Sequence, residues 1–341
     1  MRVRQKDIAK RLGLSTSLVS RALAGKAASI GVRPETVLQI EQTARALGYV
    51  PSAAARQLRG TSAGIVGVVA ADLQDPFFGP AVAELIRQSH QAGYALSLVG
   101  FDQRDAESPD LGLLLQQDLS GLVVVGSGPL PWLQPFLARD LAVARIGSGP
   151  APDGACNIAM DETQAAAALA DHIASLGHQR VALVGADLAV HRERCRLLAR
   201  ALKLAGLTVT AQAFGPAAVL DAGVEGARRL LETAGARGPT AILCSSDTVA
   251  LGVLRTLADR GLRVPQDLSV TGFDDLALAR LVNPPLTTIR QPLPDLVRAA
   301  LQHLANPRAR APAPLKGHLI PRASTGLPSE NPVRSTHHQG T

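Results

Sequence analysis

The chain has 341 residues, 46% of them hydrophobic and only 3% aromatic, which is more than one average domain and enough to bury substantial cores. It has no run of the roughly eighteen apolar residues that span a bilayer, and charged residues recur from Arg2 to Arg11, where a secretory leader would be apolar. The net charge of +7 is uneven: residues 1–60 carry 11 basic and 3 acidic side chains, the other 281 carry 24 and 25. A membrane protein and a secreted protein are therefore not expected, and the first 60 residues call for a polyanionic partner. Cys156, Cys195 and Cys244 are scattered without metal-ligand spacing, so they read as buried thiols of a reducing cytoplasm.

In chain order, KDIAKRLGLSTSLVSRAL at 6–23 comes first. Ile8, Ala9 and Leu12 mark one apolar helical face, Gly13-Leu14 a tight turn, and Leu18, Val19 and Ala22 a second face. Two short helices around such a turn form a helix-turn-helix, whose second helix can enter the DNA major groove. Pro34-Glu35 opens a third helix with Val37, Ile40, Ala44 and Leu47 inward. Ala53, Ala54 and Ala55 favour a helix too short to stand alone.

Beyond Gly60-Thr61-Ser62 the pattern changes. Apolar runs at 65–70, 95–100, 122–125, 143–146, 181–184, 241–244 and 268–271 read as buried strands. Helical stretches at 80–91, 163–176, 194–204, 224–233 and 248–260 alternate with them. This alternation predicts parallel sheets flanked by helices, with too many strands for one sheet, hence two α/β lobes with a ligand cleft between them. The expected division is a head at 1–48, a hinge at 49–62 and a two-lobed domain at 63–327. Lobe 1 would take about 63–160 and 290–305, and lobe 2 about 161–285 and 306–327. Residues 328–341, rich in Ser, Pro, Asn, His and Gly, are expected to be a disordered tail.

Seven segments together resemble the lactose-repressor (LacI/GalR) family of bacterial transcriptional regulators, over nearly the whole chain to about Thr325. They are the 6–23 segment, LGYVPSAAARQLR at 47–59, IVGVVAADLQDPFFG at 65–79, LGHQRVALVG at 176–185, AILCSSDTVALGVLRTL at 241–257, GLRVPQDLSVTGFDD at 261–275 and PPLTTIRQP at 284–292. The resemblance implies a helix-turn-helix head on a two-lobed, periplasmic-binding-protein-like domain. It also implies a cytoplasmic homodimer, or a tetramer, that binds a pseudo-palindromic operator and is modulated by a small metabolite, a sugar or a related compound. Repression is the expected effect, and no cofactor, metal or membrane is implied.

Carried over by position, Thr16, Ser17 and Arg21 would read bases in the major groove, where an arginine can pair with guanine in bidentate fashion. Ala55, Leu58 and Arg59 would form the minor-groove part of a hinge that becomes helical on DNA, with Leu58 as the wedge. Lys6, Ser52 and Arg56 would meet phosphates. Ser15 and Ser20 read as capping and packing residues. The loop at 24–33 is about three residues longer than in the family's best-known members.

Phe77, Phe78, Ser127, Arg194, Ser246 and Asp274 would line the effector cleft. Phe77 has core packing, and Arg194 a surface ion pair, as the competing reading. Gly147 stands where sugar-binding members often carry an aspartate, and 215–221 offers no stacking aromatic. A smaller, more apolar or anionic ligand, or none, would follow. A solute receptor on the same two lobes is the alternative function, opposed by the basic head. An enzyme is not expected: Asp161-Glu162 and Asp274-Asp275 come with no nucleophile, phosphate loop or metal spacing.

Overall fold

The computed structural model describes residues 3–23, 31–49, 64–71, 73, 75–101, 110–127, 130–149, 153–233 and 238–329. The expected hinge at 52–59, most of the 24–33 loop and the tail beyond 329 lie outside these residues.

In the head, helix α1 (Gln5–Leu12) starts with the Arg4 amide donating to the Asp7 carboxylate at 2.8 Å and ends on Gly13 at φ 67°. That left-handed turn suits glycine, which has no Cβ to clash. Helix α2 (Thr16–Leu23) is capped by Ser15, whose Oγ accepts from the Leu18 amide at 3.1 Å. Helix α3 (Pro34–Ala46) opens on proline, whose missing N–H costs nothing at that position. Ile8, Ala9, Val19, Ala22, Ile40 and Ala44 meet in one small core, so the two faces read from the sequence do close on each other and on α3.

The first sheet is built from β1 (Gly64–Ala71), α4 (Phe78–Gln91), β2 (Tyr94–Phe101), α5 (Gly112–Leu115), β3 (Leu119–Val125), α6 (Gln134–Leu137), β4 (Val143–Ile146) and β5 (Cys156–Ile158). Its strands are all parallel, in the order β2-β1-β3-β4-β5. The second sheet follows with α7 (Glu162–Ser175), β6 (Arg180–Ala186), α8 (Ala189–Leu204), β7 (Thr208–Gly215), α9 (Val219–Thr233), β8 (Ala241–Cys244), α10 (Asp247–Asp259) and β9 (Ser269–Thr271). It too is parallel, in the order β7-β6-β8-β9.

An antiparallel pair, β10 (Thr288–Arg290) with β11 (His318–Ile320), completes the strands of the described residues, and α11 (Leu293–Ala305) lies between them in the chain. Leu296, Val297, Ala300 and Leu304 of α11 pack with Val123 and Val125 of β3, so this helix belongs to the core of the first sheet. The chain therefore passes from the first sheet to the second after β5, returns after β10 and leaves again after α11. Two of these crossings are tied side by side: the Asp161 amide donates to Leu315 O and the Leu315 amide to Ala159 O, each at 2.8 Å. In both sheets the order reverses on either side of a central strand, β1 or β6. Ligand crevices form at the carboxyl ends of strands at such switch points.

Candidate functional site

On the head, Val19 and Ala22 are buried while Thr16, Ser17 and Arg21 are exposed, on the face of α2 turned away from the small core. Lys6 is exposed on α1. Arg21 makes no hydrogen bond or ion pair among the described residues, so its guanidinium is available to an external partner. Ser15 caps the helix, as expected of it. Ser52, Ala55, Arg56, Leu58 and Arg59 lie outside the described residues.

Between the lobes lies a cleft of about 250 Å³. Phe77, Phe78, Ser127, Arg194, Ser246 and Asp274 all line it, so the fold brings together every residue expected there. Phe77 and Phe78 stand at the mouth of β1 and the start of α4, with ring centroids 5.4 Å apart and planes at 79°, an edge-to-face pair. Phe78 is buried in the lobe 1 core and Phe77 half-buried against it, which locks the exposed face of Phe77 toward the cleft. Ser127 follows β3, and its Oγ accepts from the Ser148 amide at 2.8 Å. Ser246 caps α10, its Oγ accepting from the Val249 amide at 3.2 Å, and lines the cavity.

Arg194 is the centre of the site and is no surface ion pair. It is 8% exposed, and its Nε donates to Glu162 Oε1 at 2.9 Å. Its Nη1 donates to Ser245 O at 3.0 Å and approaches Asp274 Oδ1 at 3.3 Å, while the guanidinium lies 4.2 Å over the Phe273 ring. Burial works against this charge, but Glu162 and Asp274 outweigh it and hold the pKa above its ordinary value. Asp274 also accepts from Gln291 Nε2 at 2.5 Å. Burial pushes its carboxyl up to about 8 against the opposing pull of Arg194. His191, bonded through Nδ1 to Ser245 Oγ at 2.7 Å, is pushed down to about 3 by burial, with Arg194 adding to the effect. It is neutral.

Arg194 is thus the only cation among the described lining residues, and its charge is already matched by Glu162. Asp75, which accepts the Phe77 amide at 3.0 Å, adds a further negative charge. The anionic ligand considered from the sequence finds no uncommitted cation here.

Two absences noted in the sequence acquire physical reasons. A Cβ on Gly147 would lie 2.2 Å from Gly126 O, so no aspartate fits at that position in this backbone. Phe214, just before the aromatic-free 215–221 stretch, is held by Arg192 with the guanidinium 4.6 Å over its ring, and it does not line the cleft.

The residue most obscured in the sequence is Glu162. Next to Asp161 it looks like one of two equivalent carboxylates. In the fold Asp161 Oδ1 caps α7 by accepting from the Gln164 amide at 2.9 Å, while Glu162 turns into the cleft. There its Oε1 accepts from Ser148 Oγ at 2.7 Å as well as from Arg194, joining the β4–β5 loop of lobe 1 to α8 of lobe 2. The loop is itself fixed by Arg145, a fully buried side chain that donates to Ser148 O at 3.0 Å, to Gly149 O, and through Nε to Asn157 Oδ1 at 2.9 Å. The likewise adjacent Asp274 and Asp275 diverge: Asp275 pairs with Arg290 and Arg322, away from Arg194. Among the described residues no cluster of three or more His, Cys, Asp or Glu is placed to hold a metal.

A profile described as a periplasmic binding protein-like domain matches residues 170–325. The transcriptional regulator MalR of Streptomyces coelicolor is 30% identical over 329 residues, which cover 92% of each chain. The transcriptional repressor CytR of Escherichia coli K12 is 29% identical over 312 residues, 87% of each chain. Among solved structures, the lac repressor dimer bound to operator and an anti-inducer superposes with a TM-score of 0.79 at 24% identity, over 96% of this chain and 100% of that one, which shows a shared fold. A LacI transcriptional regulator from a Rhodococcus species superposes with a TM-score of 0.69 at 27% identity, over 78% of this chain and all of that one.

Proposed function

The chain belongs to the lactose-repressor (LacI/GalR) family of DNA-binding transcriptional regulators, and from that premise we propose that it is a dimeric repressor whose hold on a two-fold-symmetric operator is set by a small uncharged metabolite in the interlobe cleft. The head (1–48) reads the half-site through Thr16, Ser17 and Arg21, with Lys6 on phosphate. The hinge (49–62) contributes Ala55, Leu58 and Arg59 to the minor groove and Ser52 and Arg56 to phosphate. Residues 63–327 form the two lobes, with Phe77, Phe78, Ser127, Arg194, Ser246 and Asp274 at the effector. It works in the cytoplasm and catalyses no reaction.

The observation that carries the effector reading is the convergence of both lobes on one cavity whose cation, Arg194, is already paired with Glu162. Its volume of about 250 Å³ is just below the roughly 300–1,000 Å³ of pockets for drug-sized ligands, which suits a monosaccharide, nucleobase or nucleoside. Phe77 offers a flat apolar face to a ring, and Ser127, Ser246 and Gln291 offer hydrogen bonds at its edge. A ligand that meets both lobes favours one lobe arrangement over others. Since hinges and heads follow the lobes, it changes operator affinity through that two-state element.

The test is titration of operator-bound protein with neutral sugars, nucleobases and nucleosides. At least one should shift operator affinity, and Phe77→Ala should raise the concentration needed by about tenfold while leaving metabolite-free operator binding intact. If no such compound acts, or if Phe77→Ala leaves the response unchanged, the effector assignment fails.

A further inference from the structure

A second cavity, of about 300 Å³, opens where the chain crosses between the lobes. It shares the Phe77 and Asp274 walls with the effector cleft but is otherwise differently lined. Three arginines from separate segments line it: Arg280 at the end of the one-turn helix 277–280, Arg290 on β10, and Arg322 just beyond β11. Two carboxyl groups stand among them: Asp274, which is engaged by Arg194 and Gln291, and Asp275, buried at the cavity wall. The second is the one the arginines hold. Its Oδ2 accepts from Arg290 Nε at 2.6 Å and its Oδ1 from Arg322 Nη2 at 2.5 Å. Burial raises its pKa, but Arg322 and Arg290 outweigh it and keep the group ionised.

The three guanidinium groups outnumber the two carboxyl groups, and Asp274 and Asp275 are both already engaged by partners. Arg322 is tied down further by donating from Nη1 to Leu286 O at 2.7 Å. Arg290 bonds through Nε alone, leaving its two Nη groups free among the described residues, and its side chain is 55% exposed. Arg280 has no hydrogen bond or ion pair with any described residue. The apolar part of the wall is Phe77, Pro80 and Leu293 from lobe 1 with Leu276 and Ala277 from the segment that carries Arg280. The two arginines with free donors therefore line one concavity that also has an apolar side.

We propose that this crossover cavity is a binding site for a phosphate monoester of a small metabolite, distinct from the effector cleft. The phosphate meets Arg280 and the free Nη groups of Arg290, where planar forks match its oxygens. The organic body lies against Phe77, Pro80 and Leu293. Because these residues come from lobe 1 and the arginines from the crossover and lobe 2, an occupant touches both lobes and is linked to their arrangement, and hence to the effector cleft, by reciprocal coupling.

The experiment is isothermal titration of the full-length protein, in phosphate-free buffer of low ionic strength, with phenyl phosphate, inorganic phosphate and phenol. Phenyl phosphate should bind saturably at one site per chain and more tightly than inorganic phosphate, and phenol should not bind. Arg280→Gln removes a side chain without a partner among the described residues, so its folding should match the parent, and it should weaken phenyl phosphate by about tenfold. Arg290→Gln should do the same. Equal affinity for inorganic and phenyl phosphate would overturn the assignment of an organic ester. Absence of saturable binding, or binding that neither variant weakens, as at the basic head, would overturn the site itself.

Discussion

Arg21 and Asp274 show how the environment of a single side chain sets its role. Arg21 is exposed near the end of α2 and has no partner among the described residues, which leaves its donors to a base edge. Arg21→Ala should cost about 1–3 kcal/mol at one base pair and relax preference there, as read by binding to operator variants. An equal loss on operator and random duplex would make it a phosphate contact instead. Asp274, by contrast, sits at φ 115° among buried groups, with its carboxyl pushed from 3.8 up to about 8. The folded state therefore holds a proton that the unfolded chain has released, and this contribution to stability is lost as pH rises through that window. His191, depressed to about 3, acts in the opposite direction below about pH 6.5, but it is common to parent and variant. Asp274→Asn should lose less thermal stability than the parent between about pH 5.5 and pH 8.5, measured by melting; parallel melting curves across that range would contradict the protonated assignment.

At the scale of elements, what the sequence revealed depended on how fully each element is buried. Strands inside the two sheets, such as β4 and β8, are buried along their whole length and stand out as apolar runs. Strand β7 lies at a sheet edge with exposed and half-buried residues alternating, TVTAQAFG, and gives no such run. Strands β5, β10 and β11 are three residues each, too short for a periodicity to register. Helices α8 and α9 begin five residues before the apolar pattern suggests, at Ala189 and Val219; the first turn of α8 faces the cleft, while that of α9 adds only Val219 and Ala222 to the core. The cleft residues were legible by position within motifs. The partners that fix them, Glu162 with Ser148 and Gln291 with Asp274, were not, since pairing across the lobes leaves no mark on local spacing. The hinge is an element defined by its partner: three alanines favour a helix that is too short to form alone. Leu58→Ala should weaken operator binding and reduce the DNA bend, seen as a larger end-to-end distance by energy transfer, without altering metabolite affinity. An unchanged bend would remove Leu58 from the wedge role.

For the whole molecule, charge and architecture divide the labour. The first 60 residues hold an excess of eight positive charges, while the remainder is close to neutral and builds two parallel sheets around a cleft whose cation is already paired. In the proposed reading the first 60 residues, head and hinge together, supply affinity for the polyanion, and the lobes supply the state dependence. Three crossings between lobes, two of them tied by backbone hydrogen bonds at Asp161 and Leu315, restrict lobe motion to a few arrangements rather than free rotation. The most direct test of this account is selection of bound sequences from a random duplex library by the full-length protein, with affinity for the winner measured across salt concentrations. A two-fold-symmetric sequence with one half-site per head, bound more weakly as salt rises, is the predicted result. Failure to enrich any sequence, with or without added metabolites, or enrichment of an unrepeated single site bound by one chain, would contradict it.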